Sequence, residues 1–416
     1  MGYREVVSGG VARWGIVAVG ARMPVAAAPL ALVFLVRERP GGYVLGAALA
    51  AAYVVGEIIG APLLGMRIRA ERARPQLAVG LGVGALAFVG LGALPNAHPV
   101  VLGSLAFLAG AGPAAAPGGL RALLTGLVPE KAVAQALAVE SMLTFAIWAV
   151  APAAVTGLAL GVSAVLPLLL AGLLMGASVA GLWMLPAGWE SDADDRGGES
   201  MARILVRAWP VFVTGAASLS MLALAELVLP ALLEQRGIAV GWAGPLLAGL
   251  AVGSAAGSFV YGLRRWPGRL RTQSMVLMSG LCGCLGLVAV VPGVGWMFGV
   301  LAVAGVLQAG AMLTRNLSLR ELLPPSALAA GYSVMYAAVG AGYAASGSLA
   351  GGLLSVVPPS TAILAGVALG VVLTVIGVLG EAKPLEGGRS GGGGSGGGDV
   401  AEGAAVGGGG DSERGL

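Results

Sequence analysis

Twelve long apolar stretches fill residues 12 to 380, and nearly all basic residues fall between them, on alternate sides. A run of about 20 apolar residues is long enough to cross a bilayer as a helix. The stretches cover roughly 12–36, 43–66, 76–94, 99–124, 132–160, 163–186, 208–233, 241–263, 273–291, 295–316, 326–356 and 360–380. The expected fold class is therefore all-α and integral to the membrane, with twelve transmembrane helices. Composition agrees: 57% of residues are hydrophobic and only 11% charged, against about 25% charged in a soluble domain. The first stretch exceeds 20 apolar residues and reads as a span rather than a cleaved signal.

Lys and Arg set the orientation, because cytoplasmic loops carry the excess of positive charge. Of the 24, twenty lie on one side, including Arg67, Arg69, Arg72 and Arg74 after the second stretch and Arg264, Arg265, Arg269 and Arg271 after the eighth. Arg37, Arg39 and Arg236 lie on the other side, and Arg22 is inside the first stretch. The split predicts a multi-pass protein of the cell membrane with both termini in the cytoplasm, and an even number of spans is consistent with that.

The pattern also repeats. Gly65-Met66-Arg67-Ile68-Arg69 is echoed by Gly262-Leu263-Arg264-Arg265-Trp266, the two glycines lying 197 residues apart. Four segments follow: a six-helix bundle over 1–186, a polar cytoplasmic linker over 187–207, a second six-helix bundle over 208–380, and a Gly-rich tail over 381–416 expected to be disordered.

Several function classes drop out. The net charge of +4 is spread over short loops, which argues against nucleic-acid binding. A single histidine, His98, leaves no His-based metal site. Cys282 and Cys284 sit at i and i+2 of a helix, pointing apart, and read as small packing residues. Gly80-Leu81-Gly82-Val83-Gly84 lies inside an apolar stretch and suits close helix packing rather than a phosphate loop. No Gly-x-x-x-x-Gly-Lys-Ser/Thr run occurs, so nothing points to an ATP motor, an enzyme or a cofactor.

On these residues the chain resembles the major facilitator superfamily, and within it the actinobacterial drug-efflux-like permeases. The resemblance is carried by Ala21-Arg22-Met23-Pro24 and Ala28-Pro29-Leu30-Ala31-Leu32, by Gly60-Ala61-Pro62-Leu63-Leu64-Gly65, and by Leu120-Arg121-Ala122-Leu123. It implies two pseudo-symmetric bundles, a central site lined by spans one, four, seven and ten, and motif-A-like loops at Gly65, Arg67 and Arg69 and at Gly262, Arg264 and Arg265. The sequence departs from the family where Arg69 and Arg72 replace the loop's Asp and Gly, and where Ala151-Pro152 stands for the Gly-Pro of the antiporter motif.

A charge at the bilayer centre costs at least about 2.5–3.5 kcal/mol on insertion scales, so buried charges are functional candidates. Arg22 reads either as an anion clamp or as a structural partner of an acid or of carbonyls freed by Pro24 and Pro29. Glu226 is the leading proton carrier; Thr214 and Ser218 share its broad helix face. Glu57, with Tyr53 one turn away, is open between function and structure. Glu140 and Arg121 lie at similar depth and read as a gating or structural ion pair, and Arg315 as a cytoplasmic anchor. Gln308 shares a face with Arg315. Tyr332, Tyr336 and Tyr343 fall within about 40° on one helix face, suited to packing or to a planar or cationic ligand.

The expectation is a monomeric secondary transporter that moves a small, amphipathic molecule and protons across the bilayer. By the resemblance it exports that solute by proton antiport. Uptake by symport and a non-transporting sensor are the alternatives.

Overall fold

Inside hydrocarbon each backbone N–H and C=O must find its partner within the segment, which makes helices of these stretches. The computed structural model describes residues 6, 8–189, 197–264 and 266–382. Among them are twelve long helices: α1 Gly9–Val36, α2 Gly42–Gly65, α3 Ala73–Ala93, α4 Pro99–Gly126, α5 Val133–Gly161, α6 Leu166–Gly181, α7 Trp209–Gln235, α8 Ala243–Leu263, α9 Leu270–Val290, α10 Val294–Leu322, α11 Leu328–Leu354 and α12 Pro359–Ala382. Eleven are long and apolar enough to cross a membrane. The other, α11, is rich in Gly, Ala, Ser and Tyr.

Three details differ from the sequence reading. α4 is interrupted by a single 3₁₀ turn at Pro113–Ala115, where proline has no N–H to donate. α10 continues two turns past the apolar stretch, to Leu322, and so takes in Arg320. The end of the expected linker holds a short helix, Met201–Arg207. Arg265, linker residues 190–196 and the tail from 383 lie outside the described residues.

Helix contacts repeat between the halves. α2 packs on α4 as α8 packs on α10, α3 on α6 as α9 on α12, and α1 on α6 as α7 on α12. Small residues permit the close crossings. A Cβ on Gly56 would lie 2.3 Å from the Phe107 carbonyl oxygen, and one on Gly253 2.0 Å from that of Ala302. Between the halves, α2 meets α11 and α5 meets α8, a pair of contacts related by the same exchange. Large apolar side chains face outward, as lipid contact requires: Leu86 is 75% exposed and Val252 69%.

The core is not shared evenly along the helices. The first half forms one continuous cluster with the arginine-rich end of the second, through Leu313, Leu319, Leu323, Ala327, Tyr332 and Met335. At the opposite end of the second half, Leu229, Leu232, Leu246, Leu250, Met297 and Leu301 form a core of their own. The halves are thus packed together at the arginine-rich end and separate toward the other.

Candidate functional site

Arg22 sits mid-way along α1, and three helices converge on it. Its guanidinium donates to Glu140 of α5 at 2.6 Å, to Thr144 Oγ1 at 2.9 Å and to the Pro117 carbonyl of α4 at 3.4 Å. It also lies 5.8 Å from the ring of Trp14, whose indole N–H donates to the Leu120 carbonyl at 2.7 Å. Arg121 reaches the same Oε1 of Glu140 from α4 at 2.7 Å. Glu140 is 0% exposed. With one buried carboxylate between two arginines, each charge depends on the others, because removing one partner leaves a charge without its counter-ion or its water.

Arg121 carries this network across to the second half. It donates to Asn316 Oδ1 of α10 at 3.1 Å, and its guanidinium stacks 5.4 Å from the ring of Tyr332 on α11. Nearby, Ser333 of α11 presses on α2 and α4: a Cβ on Gly65 would lie 2.4 Å from its Cβ, and one on Gly118 2.6 Å from its backbone nitrogen. Trp189 donates to the Pro325 carbonyl at 2.8 Å. These contacts seal the arginine-rich end.

Glu57 lies closer to mid-helix on the same seam. Tyr336 of α11 donates to its Oε1 at 3.0 Å, and Tyr53 of α2 donates at 3.4 Å. Glu57 has only neutral hydroxyl donors; Glu140 has two cations. Protonating Glu57 strands no charge, whereas protonating Glu140 would leave two buried arginines unpaired.

In the second half, Gln308 donates to Ser218 Oγ of α7 at 3.1 Å, and Arg315 to Thr214 Oγ1 at 3.3 Å. Arg315 is 2% exposed and pairs with Glu381 of α12. It is thus a buried tie between helices, and Glu381, grouped with the tail by its polar surroundings, is the last acid of α12. Glu226, half-buried on α7, has no hydrogen bond or ion pair among the described residues.

The three tyrosines therefore serve different neighbours: Tyr332 packs on Arg121, Tyr336 binds Glu57, and Tyr343 is 43% exposed. Arg22 and Glu226 do not meet. Among the loop residues, Gln76 holds the first turn by accepting from the Arg69 N–H at 2.8 Å and donating to the Arg67 carbonyl at 3.0 Å. Gln273 does the same in the second half, accepting from Tyr261 at 2.6 Å and donating to the Trp266 and Gly268 carbonyls at 3.1 Å. Arg264 is exposed beside Gly262.

No family model and no curated protein matches the sequence. Solved structures do match its shape. The transporter FucP in its outward conformation superimposes with a TM-score of 0.70 at 14% identity, over 92% of this chain and 100% of that one. The chain has the major facilitator fold. A bacterial homologue of the iron transporter ferroportin, in an outward-facing state, gives 0.70 at 17% identity over 89% and 99%. The proton:xylose symporter XylE gives 0.61 at 14% over 88% and 93%. At such identities the likeness is one of fold.

Proposed function

We propose that this chain is a secondary active transporter that moves a small, amphipathic solute by alternating access, driven by protons. The observation that carries the reading is the one-ended seam: the halves are packed at the arginine-rich end and separate at the other. A bundle so built exposes a mid-membrane site to one side and, by rocking, to the other. Positive charge places the packed end in the cytoplasm.

Geometry favours Glu57 over Glu226 as the proton carrier. Its hydrogen bond to Tyr336 spans the α2–α11 contact, which must part when the cytoplasmic side opens. Gaining or losing a proton there alters a bond between the halves; at Glu226 it alters none. Glu140, clamped by Arg22 and Arg121, is the structural pair of the same seam. Export by exchange with protons is the direction retained from the family resemblance. Uptake with protons is the second reading, favoured by Ala151-Pro152 in place of Gly-Pro and by the description of XylE as a proton symporter.

The test is proton flux in reconstituted vesicles under an imposed pH gradient, with pooled hydrophobic compounds and metabolites added. Compound-driven proton movement is expected in the native protein and is expected to vanish in Glu57→Gln. Its sign separates export from uptake. Coupling that survives in Glu57→Gln but fails in Glu226→Gln would transfer the proton role, and absence of any solute or proton movement would refute transport.

A further inference from the structure

A groove opens on the outer face of the second half, between α9 and α12. Met275, Ser279 and Cys282 line one wall and Val371, Thr374 and Val378 the other, around about 420 Å³. Behind it, α9 packs on α10 and α12 on α7, within their own half. Val375 and Leu379 beside it are 50% and 61% exposed, so the groove opens outward to lipid and not to the space between the halves. The equivalent crossing in the first half is shut. At 197 residues before Cys282 stands Ala85 of α3, whose carbonyl oxygen would lie 3.0 Å from a Cβ on Gly172 of α6; a Cβ on Gly84 would lie 2.6 Å from Met175 Sδ. In α9, a Cβ on Gly286, one turn past Cys282 on the same stripe, would meet nothing within 4 Å.

Depth and charge name the occupant. From Met275 to Cys282 the wall runs about 10 Å along the helix, starting one turn from the arginine-rich end. It therefore stays within one leaflet, whose hydrocarbon is about 15 Å deep. At the mouth, Arg271 bridges the two helices by donating to the Val378 carbonyl at 2.9 Å, while its buried Nε has no partner. Arg269 is exposed two residues before it, with no hydrogen bond or ion pair among the described residues. Glu381, the acid at that end of α12, is turned inward to Arg315. A Cβ on Gly380, next to Leu379, would lie 2.5 Å from the ring of Trp209, which places an indole at the level where such rings mark the headgroups. An apolar, lipid-facing slot thus ends on two arginines that no carboxylate answers among the described residues. Basic pockets between helices at this level suit acidic headgroups.

We infer that this groove holds one acyl chain of an anionic phospholipid from the leaflet at the arginine-rich end, with the lipid phosphate on Arg269 and Arg271. The site lies on the outer face of the bundle and does not depend on transport. The probes are phosphatidylglycerol and phosphatidylcholine with identical chains, each carrying a photoreactive diazirine in the chain. Each is added in trace amount to phosphatidylcholine nanodiscs holding the full chain, and the cross-linked peptides are mapped by mass spectrometry. Phosphatidylglycerol should mark 275–282 and 371–379 about tenfold or more above phosphatidylcholine, the preference expected of two arginines. Arg269→Gln, at an exposed position, should reduce that preference about fivefold. Ser279→Trp, also exposed, should fill the groove and remove the cross-links of both probes there. Equal marking by the two probes, equal marking of the closed α3–α6 crossing, or marking unchanged in Ser279→Trp would overturn the inference. So would chains cross-linked to each other through α9 and α12 in place of lipid, which would give the groove to a second copy.

Discussion

In the first half Gln76 clamps the loop after α2, and Arg74 donates to the Leu185 carbonyl at the end of the α6 segment. In the second half, 197 residues on in each case, Gln273 clamps the loop after α8 and Arg271 donates to the Val378 carbonyl of α12. The mid-membrane charges show no such repeat. At 197 residues from Glu57 stands Ser254; at the 195-residue offset that relates α5 to α11, Glu140 becomes Met335 and Arg121 becomes Asn316. Contacts that hold helices together occur twice, and the buried charge network occurs once. Arg121 even bonds to its own counterpart, Asn316, across the seam. A repeated contact needs only the fold to explain it; an unrepeated buried charge in a bilayer needs a separate reason, which the proposed closure at Glu140 and the proposed coupling at Glu57 would supply.

The largest effect is expected at Glu140. Replacing it by Gln leaves Arg22 and Arg121 buried without a counter-charge, and the expected loss is about 3–5 kcal/mol of stability. Thermal unfolding of the purified protein checks this; a variant as stable as the native chain would remove the cluster from the structural account. Glu381→Gln should cost less, about 2 kcal/mol, because that carboxylate is 13% exposed and partly screened. Gln76→Ala and Gln273→Ala should each cost about 1 kcal/mol, the scale of neutral hydrogen bonds, and should match each other. A clear inequality between those two would show that the loops are not equivalent. Single cysteines at Ala97 and Ala239 in a Cys-free background should leave stability unchanged and label from outside intact cells, while one at Ser191 should not; labelling of all three would reverse the topology.

Much of this architecture was legible in the sequence because the bilayer imposes length and apolarity on every span and sorts arginines by side. The depth match of Arg121 and Glu140 could be read from loop positions alone. The recruitment of Arg22 could not, since it depends on how α1 crosses α4 and α5, which periodicity does not reveal. Gln76, Gln273, Arg74 and Arg271 fall at the same offset as Gly65 and Gly262 and were within reach of that comparison. Glu381 merges with the polar tail in sequence, and only the packing of α12 on α9 and α7 marks it as helical. The three tyrosines share a face but not a depth, and depth decides whether each meets Arg121, Glu57 or the open space.

In the proposed mechanism the halves rock about a seam that is closed at the arginine-rich end. Gly118→Val would wedge that seam, because its new Cβ would lie 2.6 Å from the backbone nitrogen of Ser333. Spin-label distances between Glu71 and Arg264 at the packed end, and between Glu38 and Ala239 at the other, read both ends of one molecule. In the native protein the first distance should be narrowly distributed, and in the wedged variant it should lengthen while the second shortens. Two distances that both stay fixed, or that lengthen together in a folded variant, would contradict alternating access.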